Sequence, residues 1–499
     1  MLVILGFTMI LTFMVLIMTR RLTPMVALIL VPTVFGLFAG AGLGLGDMII
    51  ESIGDLAPTA ALLMFAIMFF GIMIDVGLFD PLIRLITRFL GNDPAKVVLG
   101  TAILAGAVSL DGDGSTTFII TTSAMLPIYL RLGMSPVVLT CVAGLMNGTL
   151  NIVPWGGPTV RAASALGVSP TDIFVPMLPS LATGLIIALA FAWFLGLGER
   201  KRIGSLEYSP AAQADAAPAS PGFGRKLFGG NRIVRGTDVR PGAAATLSTT
   251  GILTVRPGQR MPAGQTTLAQ QLVLEDERDT AMADTMLSAD RPTLRPKLIW
   301  VNLALTVAVM VLLVLDIMPL PYIFMVGTAV ALVINFPKLR SQADEIVAHA
   351  PSIVGVVSMV LAAGVLVGVL NGTGMVTAMA DWVVQVVPAS MGEYLAVITG
   401  VLSIPMTFFM SNDAFYFGIL PVLAQSASAF GIDPVEMARA SVIGQPVHLQ
   451  SPLVPAILLL VSLANVNLGD HHKKVLWRAA VVSVVMLVVA VVVGVIPFG

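Results

Sequence analysis

Ser109-Leu-Asp-Gly-Asp-Gly-Ser-Thr-Thr117 is a polar sequence that divides an otherwise apolar stretch at residues 97–130. A second apolar stretch, residues 394–428, is divided in the same way by Ser411-Asn412-Asp413. Each apolar arm has only about 13–17 residues, short of the ~20 that a helix needs to cross a bilayer. Two short helices with a polar tip are typical of a re-entrant hairpin, whose irregular backbone is tolerated where protein or water surrounds it. The sequence therefore predicts two re-entrant hairpins.

The spacing of prolines and glycines repeats between the two halves of the chain. Pro24 and Gly71 are 47 residues apart, and so are Pro321 and Gly368. Five such matches occur in the same order, which indicates an internal duplication. Each copy has five apolar spans and one hairpin, an odd number of crossings, so the second copy must be inverted. We expect an all-α polytopic membrane protein of two inverted repeats, with about ten spans and two hairpins, or twelve hydrophobic segments.

Composition and charge support a membrane protein with a separate polar segment. Hydrophobic residues make up 57% of the 499 positions, charged residues 11%, and the mean hydropathy is +0.95. Residues 199–297 hold 14 of the 27 Lys and Arg residues. We predict two halves, 1–198 and 298–499, joined by a disordered cytoplasmic linker at 199–297; a small regulatory domain is the alternative there. The single cysteine, Cys141, excludes an internal disulfide and a multi-cysteine metal centre.

The distribution of basic residues predicts the orientation. The first apolar run, Leu2–Met18, lacks a basic start and a cleavage site, so we interpret it as a retained span rather than a signal peptide. If Arg20 and Arg21 are cytoplasmic, most basic residues outside the linker follow the positive-inside rule. Both termini would then be external, and the hairpins would enter from opposite sides. Arg161 and Arg439 are the two basic residues outside the linker that do not follow the rule in this orientation.

Four carboxylates lie within predicted spans or at hairpin tips, where an ionisable group is a functional hypothesis by default. They are Asp75, Asp111, Asp113 and Asp413. Asp75 has the alternative of marking a helix end at the membrane interface, and the Asp-Gly-Asp-Gly sequence has the alternative of a surface turn. Because one tip reaches in from each side, we expect Asp111, Asp113 and Asp413 to meet near the midplane and to handle a cation or a proton.

The apolar segment after each hairpin contains helix-breaking residues. Asn147-Gly-Thr-Leu-Asn-Ile-Val-Pro-Trp-Gly-Gly-Pro-Thr159 and Gly444-Gln-Pro-Val-His-Leu-Gln-Ser-Pro452 are each incompatible with one regular helix. Broken helices expose carbonyls to cations and helix N-termini to anions. Four interruptions, two in each repeat, therefore predict one binding site. The candidate substrate-binding residues are Ser115, Thr116, Asn147, Thr149, Asn151, Gly156, Thr159, Arg161, Ser411, Asn412, Gln445, His448 and Ser451.

Several of these residues have a structural alternative. His448, the one histidine outside the predicted cytoplasmic loops, is either a satisfied structural histidine or part of the site. Arg161 either reaches toward the membrane interface or pairs with a substrate carboxylate, whereas Arg439 is expected to reach toward the interface. Trp155 either packs or lines the site. Three carboxylates around one cavity would repel a free di- or tricarboxylate. They suit a cation, a proton, or an anion already bound to a divalent metal.

These motifs, together with Met410-Ser-Asn-Asp-Ala-Phe-Tyr-Phe-Gly418, resemble those of the citrate–divalent-metal–proton symporters of the ion transporter superfamily. The resemblance covers nearly the whole chain except the linker. Related sodium-coupled dicarboxylate carriers have Ser-Asn-Thr at the hairpin tips, whereas this chain has Ser411-Asn412-Asp413 and an Asp-Gly-Asp-Gly-Ser tip. That difference favours metal and proton over sodium. The resemblance also implies a homodimer with a fixed scaffold and a moving transport domain.

The leading hypothesis is symport of a citrate–metal complex with protons across the inner membrane. Asp111, Asp113 and Asp413 would contact the metal through the substrate complex, with Mg²⁺ or Ca²⁺ co-transported and no cofactor bound permanently. Partners would be the organic acid, protons, membrane lipid and a second copy of the chain, and no nucleic acid. The alternatives are a sodium-coupled carrier of succinate or malate and a cation channel or membrane scaffold. The sequence has no nucleophile–base motif, no phosphate-binding loop and no Cys/His metal cluster in its water-accessible parts, so an enzyme is not expected; an intramembrane hydrolase with paired aspartates is the alternative.

Overall fold

The computed structural model describes residues 1–19, 21–90, 93–112, 114–207, 291–315, 317–386 and 388–499. Within these ranges every regular element is a helix, and eighteen of the helices have eight residues or more. The first half contains α1 Leu2–Met18, α2 Pro24–Phe38, α3 Leu45–Asp75, α4 Asp80–Leu90, α5 Pro94–Val108, α6 Gly114–Arg131, α7 Pro136–Leu150, α8 Gly157–Leu166 and α9 Leu178–Glu207. The second half contains α10 Ile299–Leu315, α11 Leu320–Asn335, α12 Leu339–Gly372, α13 Met375–Val386, α14 Leu395–Phe409, α15 Leu420–Ser428, α16 Pro434–Ser441, α17 Pro455–Leu463 and α18 Leu468–Val492.

The order of helices repeats, so that each helix of the first half has a counterpart nine helices later. The short pair α5 and α6 corresponds to α14 and α15, and these are the two predicted hairpins. The interrupted pair α7 and α8 corresponds to α16 and α17. Helix starts share a local cause: Asp93 and Asp433 cap α5 and α16 by accepting a hydrogen bond from a backbone N–H, and a proline follows each of them.

Counterpart helices run in opposite directions, as an inverted repeat requires. Along α3 and α12, Met48 lies against Gly372, whereas Gly71 near the other end of α3 lies against His349. We call this interface the α3/α12 seam. At Gly368, a Cβ atom would lie 2.7 Å from the Met48 carbonyl oxygen, so the two helices approach as closely as only glycine permits.

Helices α9 and α18 are also antiparallel. Gly184, early in α9, contacts Met486, late in α18, and the Phe191 and Trp477 rings lie 5.3 Å apart further along both helices. Arg439 holds the corresponding ends together, because its Nη2 donates to the Asp172 carbonyl at 2.8 Å and its Nη1 to the Val495 carbonyl at 3.4 Å. The sequence predicts that Arg439 reaches toward the membrane interface. In the structure, Arg439 joins the segment before α9 to the segment after α18.

Six helical segments in the described part of the chain are long and apolar enough to cross a membrane: Gly42–Asp75, Pro94–Asp111, Pro170–Ile203, Pro296–Leu313, Leu339–Gly372 and Leu468–Val492. Shorter apolar helices of 10–17 residues accompany them. The predicted all-helical membrane fold is confirmed. Helices α4 and α13 are additional, because neither is long enough to be recognised as a span. Helix α12 begins at Leu339, so His349 belongs to a helix and not to the cytoplasmic loop that the sequence predicts.

The predicted linker at 199–297 falls mostly outside the described residues. Its described ends are structured: α9 continues to Glu207, and Arg291 lies against the end of α3, where its Nε donates to the Asp75 carbonyl at 2.9 Å. The described residues thus include parts of the predicted linker at both of its ends.

Candidate functional site

The first broken helix owes its shape to three residues around the break. After α7 ends at Leu150, the chain turns through Asn151–Gly156 and enters α8 with Pro158 in its first turn. A Cβ atom at Gly156 would lie 2.6 Å from the Asn151 carbonyl oxygen, so the turn requires glycine. The Thr159 hydroxyl donates to the Ile152 carbonyl at 2.8 Å and satisfies one carbonyl that the break releases. Gly156 and Thr159 therefore form the break itself.

An ion pair joins the two halves at this break. Arg161, on α8, donates through Nε to Oδ1 of Asp413 at 2.7 Å, and their side chains are 18% and 9% exposed. Asp413 lies at the tip of the second hairpin, directly before a π-helical segment, Ala414–Ile419. Ser411 supports that segment, because its Oγ accepts a hydrogen bond from the Ala414 N–H at 3.2 Å. Removing one partner from such a pair leaves an uncompensated buried charge.

A neutral amide network centred on Gln445 also spans the halves. Gln445 is fully buried, and its Nε2 donates to the Tyr416 hydroxyl at 2.9 Å and to Asn412 Oδ1 at 3.3 Å. Its Oε1 accepts from Asn151 Nδ2 at 3.1 Å. The network therefore links the second hairpin tip to both broken helices. We call Arg161, Asp413, Gln445, Asn412 and Asn151 the central cluster.

The first hairpin tip is held differently. A short 3-10 turn at Ser109–Asp111 ends α5, and Asp111 is only 6% exposed. The Trp155 indole N–H donates to the Leu110 carbonyl at 2.8 Å, and the indole stacks on Phe70 with ring centroids 5.5 Å apart. Trp155 thus both packs and positions the tip. Asp113 lies outside the described residues.

Three predicted residues lie beside the first tip. Ser115 and Thr116 are half-buried in the first turn of α6. The Asn147 amide faces the start of that helix, since a Cβ atom at Gly114 would lie 3.7 Å from Asn147 Nδ2. Within the described structure this Nδ2 is buried without a hydrogen-bond partner. Such a donor costs free energy unless something binds it, so Asn147 is a candidate ligand-binding group.

The remaining predicted residues have structural roles in this conformation. The hydroxyl of Thr149 donates to the Leu145 carbonyl at 2.7 Å, and its methyl group faces Gly184 of α9. His448 Nδ1 bonds to the Thr407 carbonyl, and Ser451 Oγ donates to the Phe408 carbonyl at 2.6 Å. These carbonyls belong to the last turn of α14, which has no intrahelical partners for them. His448 and Ser451 therefore attach the second broken helix to the second hairpin.

Each tip contacts the broken helix of the opposite half. Asp413 of the second tip meets Arg161 of α8, and Gly114 beside the first tip meets Ala456 of α17. The two broken helices also contact each other, because a Cβ atom at Gly148 would lie 3.0 Å from the Pro446 Cα. The four interruptions thus converge. The electrostatics differ from the expected group of free carboxylates, since Asp413 is neutralised by Arg161.

A cavity of about 470 Å³ opens next to this region. Its wall includes Glu51 and Asp55 of α3, Asn371 of α12 and Gln425 of α15, and it reaches Ser164, three residues beyond Arg161 on α8. Arg161 and Asp413 are not part of the wall. The cavity lies between the α3/α12 seam and the helices that carry the central cluster.

Sequence reasoning missed Tyr416. Its ring is fully buried, and its hydroxyl accepts from Gln445 and lies 3.3 Å from the Ser441 carbonyl, to which it donates. A tyrosine in an apolar stretch beside a hairpin tip is the signal that could have identified it, because a buried phenol requires a polar partner.

Comparison with known proteins gives consistent results. The family described as "CitMHS: Citrate transporter" matches residues 3–444. A Bacillus subtilis (strain 168) protein named "Citrate transporter" is 43% identical over 500 residues, covering 100% of both chains. The "Mg(2+)/citrate complex secondary transporter" of the same organism is 42% identical over 495 residues, covering 99% of both chains.

A solved structure is also similar. The crystal structure of the Alcanivorax borkumensis YdaH transporter matches with 14% identity and a TM-score of 0.47, covering 90% of this chain and 86% of that one. That TM-score is too low to support an argument about arrangement.

Proposed function

Because the chain belongs to the CitMHS citrate transporter family, we propose that it is a secondary transporter that carries citrate as a divalent-metal complex together with protons. It is a multi-pass membrane transporter and not an enzyme, as the sequence predicts. The finer proposal concerns the metal, the protons and the residues that handle them. The observation that carries it is the buried ion pair between Arg161 and Asp413.

Charge balance at this pair explains why a metal and a proton would be needed. In the structure, Arg161 and Asp413 neutralise each other. We propose that a citrate carboxylate displaces Asp413 from the guanidinium, because Arg binds carboxylates well in a bidentate geometry. A citrate trianion with a divalent metal has a single negative charge, which Arg161 balances. Asp413 is then left uncompensated and takes up a proton.

The same reasoning disfavours free citrate. Without the metal, the trianion would leave two surplus negative charges in a site where both charged side chains are largely buried. Uncompensated charge in such an environment costs several kcal/mol per ion. Charge balance at the Arg161–Asp413 pair, both without and with the bound complex, avoids that cost, which favours movement of the loaded complex through the membrane. Proton coupling then follows from neutrality.

Neutral groups would hold the rest of the complex. Asn412, Gln445 and Asn151 offer amide oxygens and N–H groups at the ion pair, and hard divalent ions prefer such oxygen ligands together with carboxylates and water. We propose that Asn147, Ser115 and Thr116 contribute from the side of the first tip, with Asp111 near the metal. The cavity whose wall includes Ser164 would be the path by which the substrate reaches the central cluster.

The remaining topology is proposed on the placement of basic residues and on family resemblance. Both termini would lie outside, residues 199–297 would lie in the cytoplasm, and the protein would be a homodimer. Because Cys141 is the single cysteine and is buried, a Cys141→Ala background allows labelling of cysteines placed at Leu2, Gly499 and a linker position. External labelling of the linker, or internal labelling of the termini, would contradict this orientation.

Uptake in proteoliposomes tests the function directly. With an inward proton gradient, we expect saturable accumulation of radiolabelled citrate in the presence of Mg²⁺ or Ca²⁺, and little accumulation with excess chelator. Replacing sodium by potassium should have no effect. Equal uptake with and without chelator would refute the metal complex. Dependence on a sodium gradient, with transport of succinate or malate, would support the dicarboxylate alternative instead.

A further inference from the structure

A second group of ionisable side chains lies outside the central cluster, at the end of the α3/α12 seam. Asp75 is the last residue of α3, and Glu345 and His349 are four residues apart on α12, so they share one helix face. Gly71, one turn before Asp75, makes room for the imidazole, because a Cβ atom there would lie 2.6 Å from His349 Nδ1. The seam thus brings three possible metal ligands together.

The side-chain atoms of Asp75, Glu345 and His349 converge on one point at the end of the α3/α12 seam. His349 Nε2 lies 3.1 Å from Asp75 Oδ2 and 3.8 Å from Glu345 Oε1, and the three ligand atoms lie within 4.8 Å of one another. His349 Nε2 is within ion-pair distance of Asp75, but its contact lacks the geometry of a hydrogen bond, and Glu345 Oε1 has no hydrogen-bond partner in the described structure, although the two residues are only 9% and 5% exposed. A buried carboxylate oxygen without a hydrogen-bond partner, such as Glu345 Oε1, requires another partner.

Neighbouring contacts fix the end of α3 without using the carboxylate of Asp75. Its backbone carbonyl accepts from Arg291 Nε at 2.9 Å and from the Thr293 hydroxyl at 3.1 Å. Arg291 also pairs with Asp80 at 3.0 Å. The chain that enters the second half is therefore attached to the same helix end that presents Asp75 to His349.

We propose that Asp75, Glu345 and His349 form a site for a divalent transition metal. Two carboxylates and a neutral imidazole balance the charge of a divalent ion in this largely buried position. One nitrogen and two oxygen ligands suit Zn²⁺, Mn²⁺, Fe²⁺ or Co²⁺ better than Mg²⁺ or Ca²⁺, which take oxygen ligands. Three protein ligands leave room for water in the coordination sphere.

A metal at this position would connect counterpart helices from the two halves. Asp75 comes from the first half, and Glu345 and His349 come from the second. A ligand that binds only the folded protein raises its thermal stability. The site would thus fasten one end of the α3/α12 seam. It involves none of the residues of the central cluster, so it is independent of the proposed transport mechanism.

Co²⁺ is a suitable probe, because its visible absorption reports nitrogen and oxygen coordination. The full-length protein in detergent, freed of metal by a chelator and then dialysed, should bind one Co²⁺ per chain with a rise in Tm in the absence of citrate. Asp75→Asn, Glu345→Gln and His349→Gln should each lower Co²⁺ affinity at least about 100-fold, since losing a ligand exceeds the effect of losing its supporting partner. Size-exclusion profiles identify any variant that does not fold.

Two controls separate this site from others in the protein. His472→Ala removes a partly buried histidine whose Nε2 bonds the Gln450 carbonyl at 2.7 Å, and it should retain the Co²⁺ spectrum. Asp413→Asn alters the proposed transport site and should retain it as well. Absence of Co²⁺ binding to the wild type between pH 6 and pH 8 would refute the proposal, and so would folded ligand variants that bind Co²⁺ as the wild type does.

Discussion

The two hairpin tips are counterparts in the repeat, but the structure holds them in opposite ways. The second tip is attached by charge to the other half, through Asp413 and Arg161. The first tip is attached within its own half by the neutral hydrogen bond from Trp155 to the Leu110 carbonyl. Duplication reproduced the backbone of the hairpin, whereas the contacts of each tip are individual. We infer that the second tip responds to the charge of the substrate complex through its ion pair, whereas the first tip is positioned by its own half to present Asp111 and its neighbours.

The largest expected effect is at the second tip. Asp413→Asn should lower proton-driven citrate uptake about 100-fold or more, because the proposed proton carrier is lost. It should also lower the free energy of unfolding by about 3–5 kcal/mol, because Arg161 is left largely buried and unpaired. Uptake in proteoliposomes and thermal unfolding in detergent measure the two effects. Arg161→Gln combined with Asp413→Asn should recover part of the stability but none of the transport. Recovery of transport in the double variant would show that the pair has only a structural role.

A smaller effect is expected where the second tip meets the broken helices. Gln445→Leu removes the hydrogen bonds to Asn412, Tyr416 and Asn151 and should raise the KM for citrate about tenfold, equivalent to ~1.4 kcal/mol. Gln450→Leu is the matched control, because Gln450 is also fully buried in this segment but bonds the Gly144 and Pro446 carbonyls. The control should lower Tm and leave KM unchanged. If Gln445→Leu and Gln450→Leu have the same KM for citrate, Gln445 is not part of the substrate-binding site.

The first tip should tolerate loss of its fixing hydrogen bond better. Trp155→Phe keeps an aromatic ring against Phe70 but leaves the Leu110 carbonyl without the indole N–H, a cost of about 1 kcal/mol. We expect a decrease in uptake of about fivefold, with the dependence on pH gradient and metal preserved. A change in the dependence on the pH gradient would indicate that the first tip, and not Asp413 of the second, handles the proton.

The smallest effect is expected at Thr149, which sequence reasoning places in the site and the structure directs toward α9. Thr149→Val removes a hydroxyl bonded to its own helix at the Leu145 carbonyl. Uptake should remain within about twofold of wild type, and stability should change by less than ~1 kcal/mol. A large rise in the KM for citrate would place Thr149 in contact with substrate in another conformation.

The sequence predicted the positions of the breaks better than the roles of the residues within them. Pro158 and Gly156 are local signals, because they prevent a regular helix wherever they occur. The role of His448 depended on the unsatisfied carbonyls at the end of α14, a segment far away in sequence, so local reasoning left two alternatives open. The apolar pattern of the third span in the second half begins only near residue 352 and so leaves His349 in a predicted loop, although α12 already begins at Leu339.

The sequence by itself determined an all-helical membrane protein with two copies of one helix order, since apolar length, proline and glycine act over a few residues. Only the tertiary structure decided which polar groups are partners. Arg161 and Asp413 are 252 positions apart, and Asn151 and Gln445 are 294 apart. The physical reason is that an ionisable group buried among apolar helices requires a partner, but the antiparallel packing of the two halves selects which residue supplies it.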